Sequence, residues 1–279
     1  ENAVKPIEPV FLDFKKDMSQ LTAKSDIPVL YKQNTTNDLF QLIYVFDMGN
    51  NNDKALGTAF DYLEYLGTSD MTPEELKSEF YRLACTFYVS PGNERTYVVL
   101  SGLNENMPAA MQLFEKLLAD AQVNKEAYNN LVGDILKARA DAKLNQGQNF
   151  SRLMNYAMYG PKSPATNLLT EAELASMNPQ ELVDRIHNQN NYKHRILYYG
   201  PSSSKDLLAT IDQYHQVPAT LKDIPAGNEF SYLETPATKV LVAPYEAKQI
   251  YMAQISNLDK KYDPAIEPTR ELYNEYFGG

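Results

Sequence analysis

The sequence predicts an α+β fold, in which a mixed β-sheet carries helices packed on one of its faces. Residues 39–47 form a mostly apolar run, rich in β-branched and aromatic residues, that is typical of a buried strand. Residues 55–66 and 72–84 repeat their apolar residues every three or four positions, which is typical of amphipathic helices. The turn Pro91-Gly92-Asn93 lies between two apolar runs and predicts a β-hairpin over residues 85–103.

The first part of the chain is predicted to lead into this sheet. Residues 1–26 are expected to be a lead-in segment, because Pro6 and Pro9 interrupt regular structure. Residues 28–34 are predicted to form the first strand. The apolar run over residues 39–47 is expected to be a central strand of the sheet that is buried on both faces.

Two helices with clear end signals follow this strand. The helix over residues 55–66 has one apolar face, made by Leu56, Ala59, Phe60, Leu63 and Leu66. Gly67-Thr68 ends this helix. The helix over residues 72–84 begins with Thr72 as its cap, followed by a first-turn proline and two first-turn acids.

The later elements are predicted to close one unit of structure. They are helices over residues 107–121, 125–145, 149–159 and 204–214, with a strand over residues 195–199. The order strand, turn, strand, helix then begins again, with strands predicted over residues 239–242 and 249–256 and a helix beginning near Asp263. The chain therefore looks like one whole unit followed by the start of another.

The domain boundaries follow from this repetition. We expect a lead-in over residues 1–26, a complete unit over 27–217, a linker over 218–228 and the beginning of a second homologous unit over 229–279. Because the sequence opens on Glu1 and stops within an apparent element, we expect it to be a fragment of a longer polypeptide.

Composition excludes several classes of protein. The chain has 279 residues and a net charge of −10, with acids and bases interspersed, which argues against nucleic acid or an anionic membrane surface as the main partner. No run of about eighteen apolar residues predicts a membrane span. Cys85 is the one cysteine, so an internal disulfide is impossible, and we expect this residue to be a small buried hydrophobe.

The segment GTAFDYLEYLGT and the acid-rich helix after it resemble the core of the pitrilysin/insulinase metallopeptidases, the inverted-motif zinc proteases. In that family the first helix carries H-x-x-E-H, followed by Gly-Thr and a Glu-rich helix. The closing sequence DPAIEPTRELYNEYFGG resembles the opening of a later unit of the same family. The resemblance implies a peptidase-unit fold of the pitrilysin and processing-peptidase type.

The zinc motif of that family is degenerate in this chain. Alignment on Gly67-Thr68 places the His, Glu and His positions on Thr58, Asp61 and Tyr62. Hydroxyl groups of threonine and tyrosine are poor zinc ligands at neutral pH, because neither ionises readily. The resemblance places the distant acidic ligand near Asp134, or at Gly133 if the alignment slips by one residue. We therefore predict no catalytic residue, metal ligand or cofactor in this chain.

The remaining candidate residues give no second site. The chain has three histidines, His187, His194 and His215, and none is spaced four residues from another. His187 and His194 flank a polar run, so we expect both to be exposed. No nucleophile elbow, P-loop or Rossmann glycine pattern is present.

The resemblance implies a non-catalytic part of a zinc-dependent metalloendopeptidase. Such a unit forms the wall of a peptide-binding chamber and the interface with a catalytic half, where the zinc is expected, so this chain is predicted to be inactive alone. Its partners would be that half, or a homologous subunit, and the peptide substrate. One alternative is a stand-alone inactive family member that binds a peptide or a partner, and another is an unrelated α+β binding domain. An intact H-x-x-E-H upstream would decide between the first two, and a bacterial periplasm or cell envelope is the favoured compartment.

Overall fold

A mixed β-sheet organises the first part of the chain in the computed structural model. The structure describes residue 11 and residues 13–246, 248–257 and 263–278. It divides into two compact units, one comprising Glu1–Arg139 and Asn167–Glu229 and the other comprising Ala140–Thr166 and Phe230–Gly279. The sheet and every residue discussed below as a candidate site lie in the first of these units.

Six strands of the described residues form this sheet. They are β1 (Ser19–Ala23), β2 (Ile27–Gln33), β3 (Leu39–Phe46), β4 (Cys85–Pro91), β5 (Thr96–Leu103) and β6 (Arg195–Gly200). Their order across the sheet is β1-β2-β6-β3-β5-β4. Strands β2 and β6 are parallel, whereas the other neighbours are antiparallel. The sheet is therefore mixed, and β3 is central, as the sequence predicts.

The prediction that β3 is buried on both faces is wrong for its first half. One face of the strand joins the core through Phe40, Leu42, Tyr44 and Phe46. On the other face Leu39 and Gln41 are exposed, and burial reaches this face only at Val45. The long apolar run concealed an alternating pattern, because helices pack against only one face of the sheet.

The helices of the described residues supply the second layer of the first unit and most of the regular structure of the second. They are α1 (Phe14–Asp17), α2 (Leu56–Leu63), α3 (Pro73–Arg82), α4 (Met107–Asp120), α5 (Lys125–Lys143), α6 (Gln146–Tyr159), α7 (Glu171–Ser176), α8 (Gln180–Asn188), α9 (Ser204–Tyr214) and α10 (Glu267–Gly278). None of these helices has both the length and the apolar character needed to cross a membrane.

The junction between α2 and α3 forms as its sequence predicts. After α2, the backbone N–H of Thr68 donates to the Met71 carbonyl at 2.8 Å, and a Cβ on Gly67 would lie 2.3 Å from that same oxygen. Thr72 then caps α3, since its side chain accepts from the Glu75 N–H while the Glu75 carboxylate accepts from the Thr72 N–H. This tight turn therefore joins the end of α2 closely to the capped start of α3.

The lead-in segment contains a strand that the sequence did not predict. Pro6 and Pro9 lie outside the described residues, but Ser19–Ala23 pairs antiparallel with β2 at the edge of the sheet. Only Leu21 and Ala23 of this strand pack against or within the core. Because so few of its residues are apolar, pairing with β2 rather than a local pattern determines its structure.

The two strands predicted in the second unit are absent from the described residues there. Residues 239–242 and 249–256 have no strand structure, and Val240, Ile250 and Met252 are 84%, 93% and 90% exposed. A pair of short strands is marginal without a third strand or a packed apolar face. The predicted helix is present as α10, whereas Ala247 of the predicted turn lies outside the described residues. The division into homologous units stays a prediction.

Candidate functional site

Helix α2 carries Thr58, Asp61 and Tyr62, the residues that the predicted alignment places at positions of the zinc motif. Its first turn is held by the preceding loop, in which Asn50 Oδ1 accepts from the Gly57 N–H at 2.9 Å. The helix packs against α8 and β4, and it buries Ala59 and Tyr62 completely. The aligned residues Thr58, Asp61 and Tyr62 therefore lie on a firmly packed helix, where their surroundings decide their chemistry.

Tyr62 is part of the core and is committed to structural hydrogen bonds. Its hydroxyl donates to the Asn124 carbonyl at 2.6 Å and accepts from the Asn124 N–H at 2.9 Å. Its ring meets Tyr128 edge to face, with ring centroids 5.8 Å apart. Burial raises the pKa of Tyr62, against a smaller lowering by Asn124. A protonated phenol with both bonding directions occupied does not fit a zinc site.

The other aligned residues also do not fit a metal. Thr58 is half-buried, whereas Asp61 and Asp134 are exposed, and no hydrogen bond or ion pair joins these three residues in the described part of the chain. Partial desolvation, and secondarily the charge of Glu64, raise the pKa of Asp61. Among the described residues, no group of three or more histidine, cysteine, aspartate and glutamate side chains is arranged to hold a metal ion. The lack of catalytic and metal-binding residues stays a prediction that metal analysis must test.

A buried polar cluster lies on the helix side of the sheet and was not predicted. It comprises Tyr44 on β3, Glu115 on α4, and Asn190, His194 and His215 around α8, β6 and α9. The prediction that His194 is exposed is wrong, because it is 6% exposed and His215 is fully buried. His187 is half-buried and bonds the Ala121 carbonyl.

The carboxylate of Glu115 is the centre of this cluster. Its Oε1 accepts from the Tyr44 hydroxyl at 2.9 Å and from His215 Nδ1 at 2.6 Å. Its Oε2 accepts from Asn190 Nδ2 at 2.9 Å and from the Gln216 N–H at 3.0 Å. One carboxylate therefore accepts four hydrogen bonds inside the core. Burial, and then the negative charge of Glu115, raise the pKa of Tyr44 well above its usual value, so Tyr44 remains the donor.

The two histidines extend the cluster toward β6. The Nε2 atoms of His194 and His215 lie 2.8 Å apart, and His194 Nδ1 lies 2.7 Å from the Tyr192 carbonyl. Burial, and secondarily the neighbouring His215, lower the pKa of His194 to about 4. His194 is therefore not expected to take up a proton of its own at neutral pH.

One sequence signal could have revealed this cluster. Glu115 lies on the apolar face of α4, between Met111 and Leu118 in the helical repeat, where a charged residue is unusual unless it is paired. The partners could not be read from the sequence, because His215 and Tyr44 are 100 and 71 residues away from it. Only the folded topology brings them together.

The sheet face opposite the helices forms a broad open surface, here called the open face. A row of residues in register crosses its middle: Leu30, Leu197, Ile43, Val99 and Tyr88. Of this row, Tyr88 is 50% exposed, Leu30, Leu197 and Ile43 are half-buried, and Val99 is buried. Beside this row, Tyr97 and Tyr199 are 37% and 45% exposed. At one border, Asp47 bonds both Arg95 and Arg195, and these contacts, Arg195 first, lower the pKa of Asp47. The open face therefore offers apolar and aromatic contact area with a mildly basic border.

An apolar cavity of about 390 Å³ adjoins the edge strand β4, between α2 and α3. Its apolar lining includes Phe60, Leu63, Phe80, Phe87 and Val89. Cys85 also lines it, is 7% exposed, and has a thiol pKa that is raised by burial, which agrees with the predicted role as a small buried hydrophobe. No nucleophile or base is paired in this cavity among the described residues, so its chemistry is that of contact rather than catalysis.

Comparison with known proteins identifies solved structures of the same fold. No protein-family model and no curated protein matches the sequence. The periplasmic protease PqqL from Escherichia coli has a TM-score of 0.69 at 15% identity, over 82% of this chain. A mutant of the ferredoxin protease FusC, in complex with Arabidopsis ferredoxin, has a TM-score of 0.66 at 11% identity, over 84% of this chain. A peptidase M16 inactive domain from Pseudomonas fluorescens has a TM-score of 0.63 at 16% identity, over 76% of this chain.

The matched region is only part of each of these proteins. This chain covers 26% of PqqL, 27% of FusC and 54% of the Pseudomonas domain. At such identities the likeness shows the fold alone. The α+β architecture, with its mixed sheet and one helical layer, is therefore confirmed, as is the predicted resemblance in fold.

Proposed function

We propose that this chain, which has the α+β fold of a pitrilysin-type peptidase unit, is a non-catalytic part of a zinc-dependent metalloendopeptidase. The observation that carries the proposal is that Tyr62, which the predicted alignment places at a ligand position of the motif, is buried and doubly bonded to Asn124. Because this residue of α2 packs in the core, we infer that the helix has a structural role and does not bind a metal. The likeness to a peptidase inactive domain, at a TM-score of 0.63, supports the same conclusion.

The proposed role of this unit is to form part of the wall of a peptide-binding chamber. The open face supports this role, because its exposed tyrosines and aliphatic row provide contact area for a peptide without a reactive group. The catalytic half, which would hold the zinc, would meet this unit at an interface elsewhere. The chain itself needs no cofactor for this role.

A stand-alone inactive protein that binds a peptide or a partner subunit is the second candidate. The apolar cavity next to β4 favours it, because an edge strand beside an apolar cavity can bind an extended segment without any catalytic half. An intact H-x-x-E-H in the same reading frame would support the first candidate, and its absence would support the second. For either candidate we propose a periplasmic location, which is supported by the likeness to a periplasmic protease.

Photo-crosslinking tests the chamber-wall role. A photoreactive phenylalanine analogue replaces Tyr199 on the open face, and the matched control carries it at Tyr65, which is also 45% exposed but follows α2 in the helical layer. We expect a labelled unstructured peptide to crosslink several-fold more strongly at position 199. Equal or stronger crosslinking at position 65 would contradict the assignment of the open face to peptide contact.

A further inference from the structure

In the buried polar cluster, the hydrogen bonds of Glu115, His194 and His215 require one more proton than an ionised carboxylate and two neutral imidazoles would carry. A carbonyl oxygen can only accept, so His194 Nδ1 must carry a proton to bond the Tyr192 carbonyl at 2.7 Å. His215 Nδ1 likewise donates to Glu115 Oε1 at 2.6 Å, because Glu115 accepts from three further donors and so acts as the acceptor of the cluster. Both Nδ1 atoms of the histidine pair, His194 and His215, are therefore protonated.

The contact between the two rings requires a third proton. Their Nε2 atoms lie 2.8 Å apart, which is a hydrogen-bond distance. If each ring had only its Nδ1 proton, two lone pairs would face each other at this distance. One shared proton removes the repulsion and leaves a single positive charge on the histidine pair. This proton lies on the histidine pair and not on Glu115, because both carboxylate oxygens of Glu115 accept hydrogen bonds.

We propose that Glu115 and the histidine pair form an acid-sensitive contact. One buried proton, shared by the two rings, connects α4 to the segments on either side of β6, and a second proton on the pair breaks this contact. His194 directly precedes β6, and His215 directly follows α9, so the cluster attaches the ends of both elements to α4 and β3. The neutral sum of one carboxylate and one shared positive charge is what permits its burial.

Most charged groups on the elements around the histidine pair bond elsewhere. Within the described part of the chain, Glu115 from α4 bonds His215, the Tyr44 ring from β3 lies against both histidine rings, and the centroid of the Phe46 ring from β3 lies 4.6 Å from that of His194. Asn190, from the turn after α8, bonds Glu115. Other charged or titratable groups on these elements bond elsewhere: Lys193 with Asp223, Arg195 with Asp47, Asp212 with Lys24, Lys116 with Asp70, and His187 with the Ala121 carbonyl. Among the described residues, no second carboxylate bonds the histidine pair to compensate another proton.

Acid is therefore expected to break the contact between α4 and the segments on either side of β6. A second proton on the pair would place two charged rings with their Nε2 atoms 2.8 Å apart in the core. The unfolded chain binds a proton at His194 below about pH 6.5, whereas the folded chain does so only near pH 4, in line with the lowered pKa of His194. In this window the unfolded state holds more protons, so stability falls as the pH falls.

Nitrogen-15 NMR of histidine-labelled protein tests the proton count directly. At pH 7 we expect protons on both Nδ1 atoms of the histidine pair and a third proton shared by the two Nε2 atoms, with His187 as the reference ring. Two protons in total on the four nitrogens, or an unprotonated Nδ1 on either ring, would overturn the proposal. This measurement uses the wild-type chain, so it does not depend on the folding of any variant.

Unfolding titrations test the acid response. Between pH 6.5 and pH 4 we expect the unfolding equilibrium constant of the wild type to rise on the order of 100-fold more than that of His194→Gln. His187→Gln, a histidine outside the cluster, should retain the wild-type response. The same response in wild type and His194→Gln would overturn the acid step.

Discussion

Glu115→Gln is expected to lower the free energy of unfolding of the first unit by about 3–5 kcal/mol, the cost of removing one partner from a buried charge pair. Glu115 is 1% exposed and accepts four hydrogen bonds. Its neutral amide analogue either leaves the shared positive charge of the histidine pair without a counter-charge or forces the pair to give up its proton. Both outcomes leave unfavourable groups in the core, although the side-chain volume hardly changes.

Urea unfolding followed by circular dichroism measures this loss. The matched control is Glu105→Gln, an exposed acid just before α4, for which a change within about 0.5 kcal/mol is expected. Loss of less than about 1 kcal/mol in Glu115→Gln would mean that the cluster is not a charge pair in the folded protein.

Tyr62→Ala is expected to cost about 3–5 kcal/mol of stability, as large-to-small substitutions of buried aromatic residues do. Tyr62 is completely buried, and its removal would leave a cavity between α2 and Tyr128. It would also leave the backbone N–H and carbonyl of Asn124 without their partner. A residue at this position without a structural role would not lower the free energy of unfolding by this amount when it is replaced.

Tyr62→Phe separates packing from hydrogen bonding at this position. It keeps the ring but removes the hydroxyl, so we expect a smaller loss of about 1–3 kcal/mol from the two unsatisfied groups of Asn124. Chemical unfolding of both variants provides the comparison. If Tyr62→Ala were as stable as the wild type, Tyr62 would not be the core residue on which the proposed function depends.

The fold was predictable from the sequence where local pattern and tertiary packing agree. The cap at Thr72, the turn at Gly67 and the central strand β3 all have signals within a few residues, and all three are present. Strand β1 was missed, because its residues carry little apolar pattern and its partner strand alone defines it. Residues 239–242 and 249–256 were predicted as strands on pattern alone, but in the structure they form no strand and nearly all of them are exposed.

The candidate site divides in the same way. The assignment of Thr58 and Tyr62 to the imidazole positions is a prediction that the sequence alone permits, because the motif has fixed spacing beside Gly67-Thr68. The bonds of Tyr62 to Asn124 join residues 62 positions apart, so no local pattern contains them. The exposed position predicted for His194 was wrong for the same reason, since its polar flanks gave no sign that β6 lies between two other strands.

Metal analysis of the purified wild-type chain, combined with a peptide-cleavage assay, tests the central claim most directly. The chain is dialysed in buffer containing trace zinc, its bound metal is quantified, and cleavage of an unstructured peptide is followed with and without a chelator. We expect no stoichiometric zinc and no chelator-sensitive cleavage, because Thr58, Asp61, Tyr62 and Asp134 do not form a ligand set. One equivalent of zinc together with chelator-sensitive cleavage would contradict the assignment of this chain as a non-catalytic unit.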